Sequence, residues 1–118
     1  MASKRLQEIL IRWPLEAYPA DQQQRIREGK SRYQALVTKW QHKIVPGWYG
    51  FDLYDVPLRW LNIIDDFLDY LHQEDPNFKI HQIKLKFGSL RFYVECQARL
   101  RQEIAELENH LVDQGLVF

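Results

Sequence analysis

The chain of 118 residues and 14.3 kDa is one domain's length. With 46% hydrophobic, 27% charged and 14% aromatic residues it has the composition of a folded globular protein, which excludes a disordered chain. Its one cysteine, Cys96, excludes an internal disulfide framework and a multi-cysteine metal site, and the formal net charge of zero argues against a protein that coats nucleic acid.

Along the chain, an N-terminal arm over 1–20 holds a short helix at 4–12. Ser3 is its cap and Leu6, Ile9 and Leu10 lie on one side. Pro14 and Pro19 interrupt the arm. Asp21 opens a longer helix over 21–45, in which Ile26, Gly29, Tyr33, Val37, Trp40 and Ile44 form one amphipathic stripe. Its other faces carry Arg25, Arg27, Lys30, Arg32, Lys39 and Lys43. The segment 46–57, with two glycines and two prolines, is a loop. It is rich in aromatics (Trp48, Tyr49, Phe51, Tyr54), which either fold down as a lid on the core or meet a partner. Asp55 and Pro57 introduce a helix over 57–74. Trp60, Ile64, Phe67, Leu68 and Leu71 face its core side, while Asn62, Asp65, Asp66 and Asp69 face solvent.

Residues 80–95 change to period two. Gly88-Ser89 has the form of a type II′ hairpin turn, which pairs Phe87 with Leu90, Leu85 with Phe92 and Ile83 with Val94 on the apolar side. On the other side Lys86 meets Arg91, Lys84 meets Tyr93 and Gln82 meets Glu95. A last helix over 97–114 carries Leu100, Ile104, Leu107 and Leu111, with Gly115 as its cap and an apolar tail at 116–118. A lone hairpin needs its apolar face covered. The expected fold is therefore α+β, a single domain with three to four helices packed on one face of a small antiparallel β-hairpin sheet.

Charge is distributed in blocks. Residues 1–45 hold nine bases and four acids, 46–78 one base and seven acids, 79–101 six bases and one acid, and 102–118 four acids alone. Neutralisation between neighbouring elements is the simpler account, and a dipolar surface that steers a partner is the functional one. The outer hairpin face, with Lys84, Lys86, Arg91 and Tyr93, is the sharpest candidate. A like-charge cross-strand pair is costly unless something neutralises it. One aromatic among cations is a thin match to a nucleic-acid platform, which stacks bases on two or three rings.

The acidic helix residues lack the shaped loop of an oxygen-ligand metal site. No two of His42, His72, His81 and His110 have metal-ligand spacing, and Cys96 has no local base. No phosphate-binding glycine loop or nucleophile elbow occurs. The expectation is a non-enzymatic protein with no cofactor and no metal. No apolar run is long enough for a signal sequence or a membrane span, so a cytoplasmic location without membrane association is expected.

The stretch Gln82-Ile83-Lys84-Leu85-Lys86-Phe87-Gly88-Ser89-Leu90-Arg91-Phe92-Tyr93 resembles the QIKxKFGxLRFY hairpin motif of a family of small uncharacterised bacterial and phage proteins. Gly47-Trp48, the helix around Trp60 and the helix after Glu95 stand in the same order as in that family, so the resemblance covers about 47–110. Leu85 replaces an acidic residue common in the family. The paired-cysteine segment of many relatives is missing here, so no metal carries over. The resemblance implies a phage- or prophage-linked context, in which some proteins bind host machinery. The expected partner is another protein, met through Lys84, Lys86, Arg91 and Tyr93 or through Trp48, Tyr49, Phe51 and Tyr54. The alternative is a nucleic-acid-binding accessory protein that uses the basic hairpin face. Homodimerisation through the last helix or a hairpin edge is the alternative to core packing of that helix.

Overall fold

The computed structural model describes residues 3–14, 21–53 and 56–111. Expectations for Pro19, Tyr54, Asp55, Gly115 and the tail at 116–118 lie outside them. Ser3 caps α1 (Lys4–Arg12) as expected, its hydroxyl accepting from the Leu6 amide at 3.1 Å. The Ser3 amide donates to Glu106 Oε2 at 2.6 Å, which ties the start of the helix to the last one.

Asp21 opens α2 (Gln22–Trp40) by accepting from the Gln23 amide. The helix ends at Trp40 in a 3₁₀ turn over 41–43, short of the expected 45. The expected stripe is corrected at both ends. Ile26 is exposed, and Leu36, outside the stripe, is buried. The side chains of 23–28 are all exposed, so the first turns stand away from the core and periodicity there has nothing to face.

The helix α3 (Leu58–Glu74) is the centre of the molecule, with Trp60, Leu61, Ile63, Ile64, Phe67, Leu68 and Leu71 all buried. Its expected solvent face is overturned, because Asn62 and Asp65 are buried against α2. Asp65 Oδ1 accepts from Trp40 Nε1 at 2.7 Å and pairs with Lys39 Nζ at 3.1 Å, while Oδ2 accepts from Arg32. Arg32 also donates from Nε to Asn62 at 2.6 Å. Burial drives the Asp65 carboxyl up, but the bonds from Arg32, Trp40 and Lys39 outweigh it and hold the group below the ordinary carboxylate range. The basic block at 1–45 and the acidic block at 46–78 thus meet where α2 packs on α3.

The sheet has three strands in the order β1 (Gly50–Asp52), β2 (Lys79–Lys86) and β3 (Ser89–Glu95), so the expected two-stranded hairpin is extended by a strand from the presumptive aromatic loop. β1 pairs parallel to β2 and β3 antiparallel, which makes the sheet mixed. An isolated parallel bridge from Ile44 to Ile80 precedes β1, and the chain bulges outward between the two pairings. Gly50 holds φ +72°, a conformation that favours glycine, and a Cβ there would also push the Ile44 side chain aside.

The hairpin register differs from the expected one. Lys86 pairs with Ser89, Leu85 with Leu90, Lys84 with Arg91 and Ile83 with Phe92. The two-residue turn is Phe87-Gly88, with φ of +53° and +75°, a type I′ geometry in place of type II′ at Gly88-Ser89. Each partner moves by two residues, so the apolar face survives, with Ile83, Leu90, Phe92 and Val94 buried. Phe87 leaves that face and becomes the tip. A bulge between Ile80 and Gln82 sets Ile80 opposite Val94.

After a 3₁₀ turn at 98–100, α4 (Arg101–His110) packs Ile104, Leu107 and the following Leu111 into the core. It also covers the outer edge of β3. The Phe92 amide donates to Glu108 Oε2 at 2.8 Å and the Leu90 amide to the Leu111 carbonyl at 3.2 Å. At the other edge, Tyr33 Oη donates to the Phe51 carbonyl and accepts from the Leu53 amide. Both flanks of the sheet are thereby engaged by helices. No described helix is long and apolar enough to cross a membrane.

Candidate interaction surface

Side chains alternate across a pleated strand, so burial of Phe51, Ile83 and Phe92 on one face turns their neighbours to the other. The register aligns Asp52, Lys84 and Arg91 in one row across the strands, with Gln82 and Tyr93 in the next. Lys86 and Arg91 are exposed, and Tyr93 is 46% exposed. The like-charge pair across β2 and β3 is Lys84 with Arg91; the expected Lys86–Arg91 pairing is replaced with the register. Lys84 Nζ lies 6.0 Å from the Tyr93 ring centre and Lys86 Nζ 5.7 Å from that of Phe87.

Among the described residues no carboxylate lies within 4.0 Å of Lys84, Lys86 or Arg91. Asp52, exposed at the end of the Lys84 row, is the carboxylate nearest in register, and the acids of the helices are used elsewhere. Asp65 and Asp69 meet Arg32 and Lys39, Asp66 meets Arg12 and the Trp13 indole, and Glu74 meets Arg99. On α4, Glu103 accepts from Tyr70, Glu106 from the Ser3 amide and Glu108 from β3. The acids of α3 and α4 are thus engaged within the fold, and the hairpin cations take no part in those contacts.

The aromatic segment divides. Phe51 is 8% exposed and belongs to the core side of β1, so its ring is withdrawn from the outer sheet face, and Leu53 and Val56 are buried with it. Trp48 is 51% exposed and lies edge-on to His81 at 4.7 Å, while Tyr49 is 79% exposed. His81 Nε2 lies 2.9 Å from Glu95 Oε1, so Trp48 is joined through His81 to the far end of β3. Tyr54 lies outside the described residues.

Phe87 is the surface residue that sequence reasoning missed. It is 93% exposed and holds the left-handed backbone conformation, which costs an ordinary side chain roughly 1–2 kcal/mol and which Asn or Gly would occupy with less strain. The signal that could have found it is Gly88 itself: read as the second residue of a type I′ turn, it puts Phe87 at the first and takes it off the strand.

Among the described residues no group of three or more His, Cys, Asp or Glu comes together. His42 stacks on Trp40, His72 lies edge-on to Trp40 and Phe78, and burial beside Arg59 pushes His110 down. Burial pushes the Cys96 thiol up, away from the reactive thiolate. Burial and the bond to Glu103 push the Tyr70 phenol up to about 12. Compared with known proteins, the chain matches no family model, no curated protein and no solved structure.

Proposed function

We propose that this protein is a non-enzymatic interaction module that binds another protein through the hairpin tip and the open sheet face. The observation that carries this reading is Phe87, a fully presented aromatic ring in a strained backbone position at the end of a stiff hairpin. Strain that stability alone would remove points to a contact made in a complex. Around it stand Lys84, Lys86, Arg91 and Tyr93, with Trp48 at the far end of the face. Tyr, Trp and Arg are the side chains that dominate the centres of protein interfaces, and the unpaired cations suit an acidic partner surface. The likeness of 82–93 to phage and prophage proteins supplies a context, an accessory protein that engages host machinery.

A second reading, nucleic-acid binding by the same face, is favoured by one observation, the cross-strand pair Lys84–Arg91, which forms no ion pair among the described residues, beside the exposed Tyr93 ring.

Affinity capture from the native host, run with and without nuclease, separates the two. The expected result is a protein retained by the wild type after nuclease treatment and lost from a Phe87→Asn, Lys84→Glu, Arg91→Glu variant whose circular dichroism is unchanged. Equal capture by that variant rejects the hairpin face as the interface. Capture that disappears with nuclease, together with a salt-sensitive gel shift of DNA or RNA, replaces the first reading with the second.

A further inference from the structure

A cleft of about 610 Å³ lies between α2 and the chain leading into β1, and no hairpin residue lines it. Its volume is within the roughly 300–1,000 Å³ typical of sites for small ligands. One wall is the helix face of Lys30, Tyr33, Gln34 and Val37, positions spaced three, four and seven apart. The opposing wall is Ile44, Tyr49 and Phe51. Val37 and Ile44 are partly buried and pack against the core, so the floor is apolar and fixed. The Tyr33 hydroxyl spans from this helix to the Phe51 carbonyl and the Leu53 amide, which holds the two walls at a set distance.

Lys30 is the one charged residue lining the cleft, and it is exposed, with no carboxylate partner among the described residues. Arg27 and Glu28, both exposed, precede it within one turn, so residues 27–30 carry one net positive charge at this end of the cleft. We infer that the cleft between α2 and β1 binds a small amphipathic anion, a carboxylate on a medium-length hydrocarbon body. The chain of the ligand lies on Val37, Ile44 and Phe51 beneath the Tyr49 ring, and its carboxylate meets Lys30. This site takes no residue from the hairpin face and stands whether or not that face binds a protein.

The test is a methyl-resolved NMR titration of the full chain with sodium decanoate below its micelle concentration, run beside decyltrimethylammonium and decanol. Saturable shifts at the Val37 and Ile44 methyls with decanoate, and weaker ones with the cation and the alcohol, are the expected result. An exposed ion pair contributes modestly, so Lys30→Glu should weaken decanoate binding roughly two- to tenfold. Because Lys30 lies on the surface, the variant keeps its fold. Val37→Trp should fill the cleft and remove the shifts. No saturable shift at either methyl, equal binding of the cation, or an unchanged affinity in Lys30→Glu overturns the inference. The hairpin triple variant should bind decanoate as the wild type does, which keeps the outcome apart from that of the capture experiment.

Discussion

Replacing Asp65 by Ala probes the contact that joins α2 to α3. The substitution leaves the buried Trp40 indole N–H without its acceptor, and an unsatisfied buried donor costs about 1–3 kcal/mol. Arg32, whose side chain is 27% exposed, keeps water and Asn62 as partners, so its loss is about 1 kcal/mol. Lys39, 44% exposed, keeps Asp69 and loses almost nothing. Relief from burying a carboxylate offsets part of this. The expected net loss is about 1–3 kcal/mol, below the roughly 3–5 kcal/mol of a fully buried pair broken from one side because Arg32 and Lys39 are partly exposed. For a domain of this size that is a fall in Tm of roughly 4–12 °C. Urea denaturation followed by far-UV circular dichroism measures it. Asp65→Asn, which retains an acceptor for the indole, should lose less.

The same experiment has a pH signature. The folded carboxyl sits below its unfolded value of about 3.9, so its stabilisation is complete above that value. It is lost as pH falls through the folded value. The gap between wild type and Asp65→Ala should therefore narrow in acid. A loss under about 1 kcal/mol at neutral pH, with no narrowing, would mean that Asp65 is not the anchor argued for here.

Phe87→Asn should raise stability by about 0.5–1 kcal/mol, because Asn-Gly suits a type I′ turn and an exposed ring gives up little burial; a loss of stability in urea denaturation contradicts the turn assignment. Glu108→Ala frees the Phe92 amide on the edge of β3 and should cost about 1–2 kcal/mol and promote self-association, read by denaturation and light scattering. The Tyr70 phenol, pushed up to about 12, stays protonated in the folded protein after the unfolded phenol ionises near pH 10. Its stabilisation is thus present below about pH 10 and lost as pH rises toward 12, and the difference between wild type and Tyr70→Phe should shrink over that interval.

Local rules carried the sequence reading wherever a signal and its cause were neighbours in the chain. Ser3 and Asp21 cap the helices expected of them, and Leu6, Ile9 and the core face of α3 follow the helical period. The failures share a different origin. Hydrophobic patterning treats every Asp as a solvent residue, and nothing local to Asp65 announces that Arg32 and Lys39, 33 and 26 positions away, will pair with it. Only the opposite signs of the two charge blocks hinted at it. The strand β1 is three residues long, and its parallel partner lies beyond a whole helix. The hairpin faces were legible and the register was not, because Leu85 and Leu90 face inward under either turn type. Of the interaction surface, Lys84, Lys86, Arg91, Tyr93, Trp48 and Tyr49 were visible as candidates, while Phe87 was hidden by that same ambiguity.

The parallel seam between β1 and β2 has a kinetic corollary. The hairpin closes over two residues and can form within roughly 1–10 μs, whereas β1 joins β2 only by closing a connection that contains the seventeen residues of α3, a slower step. Until then one flank of β2 lies bare beside nascent helices, and a misregistered neighbour could occupy it. Changes that slow the consolidation of α3 should accordingly lower refolding yield before they alter equilibrium stability, and the last assembly step should report from Tyr33 as it reaches the arriving strand.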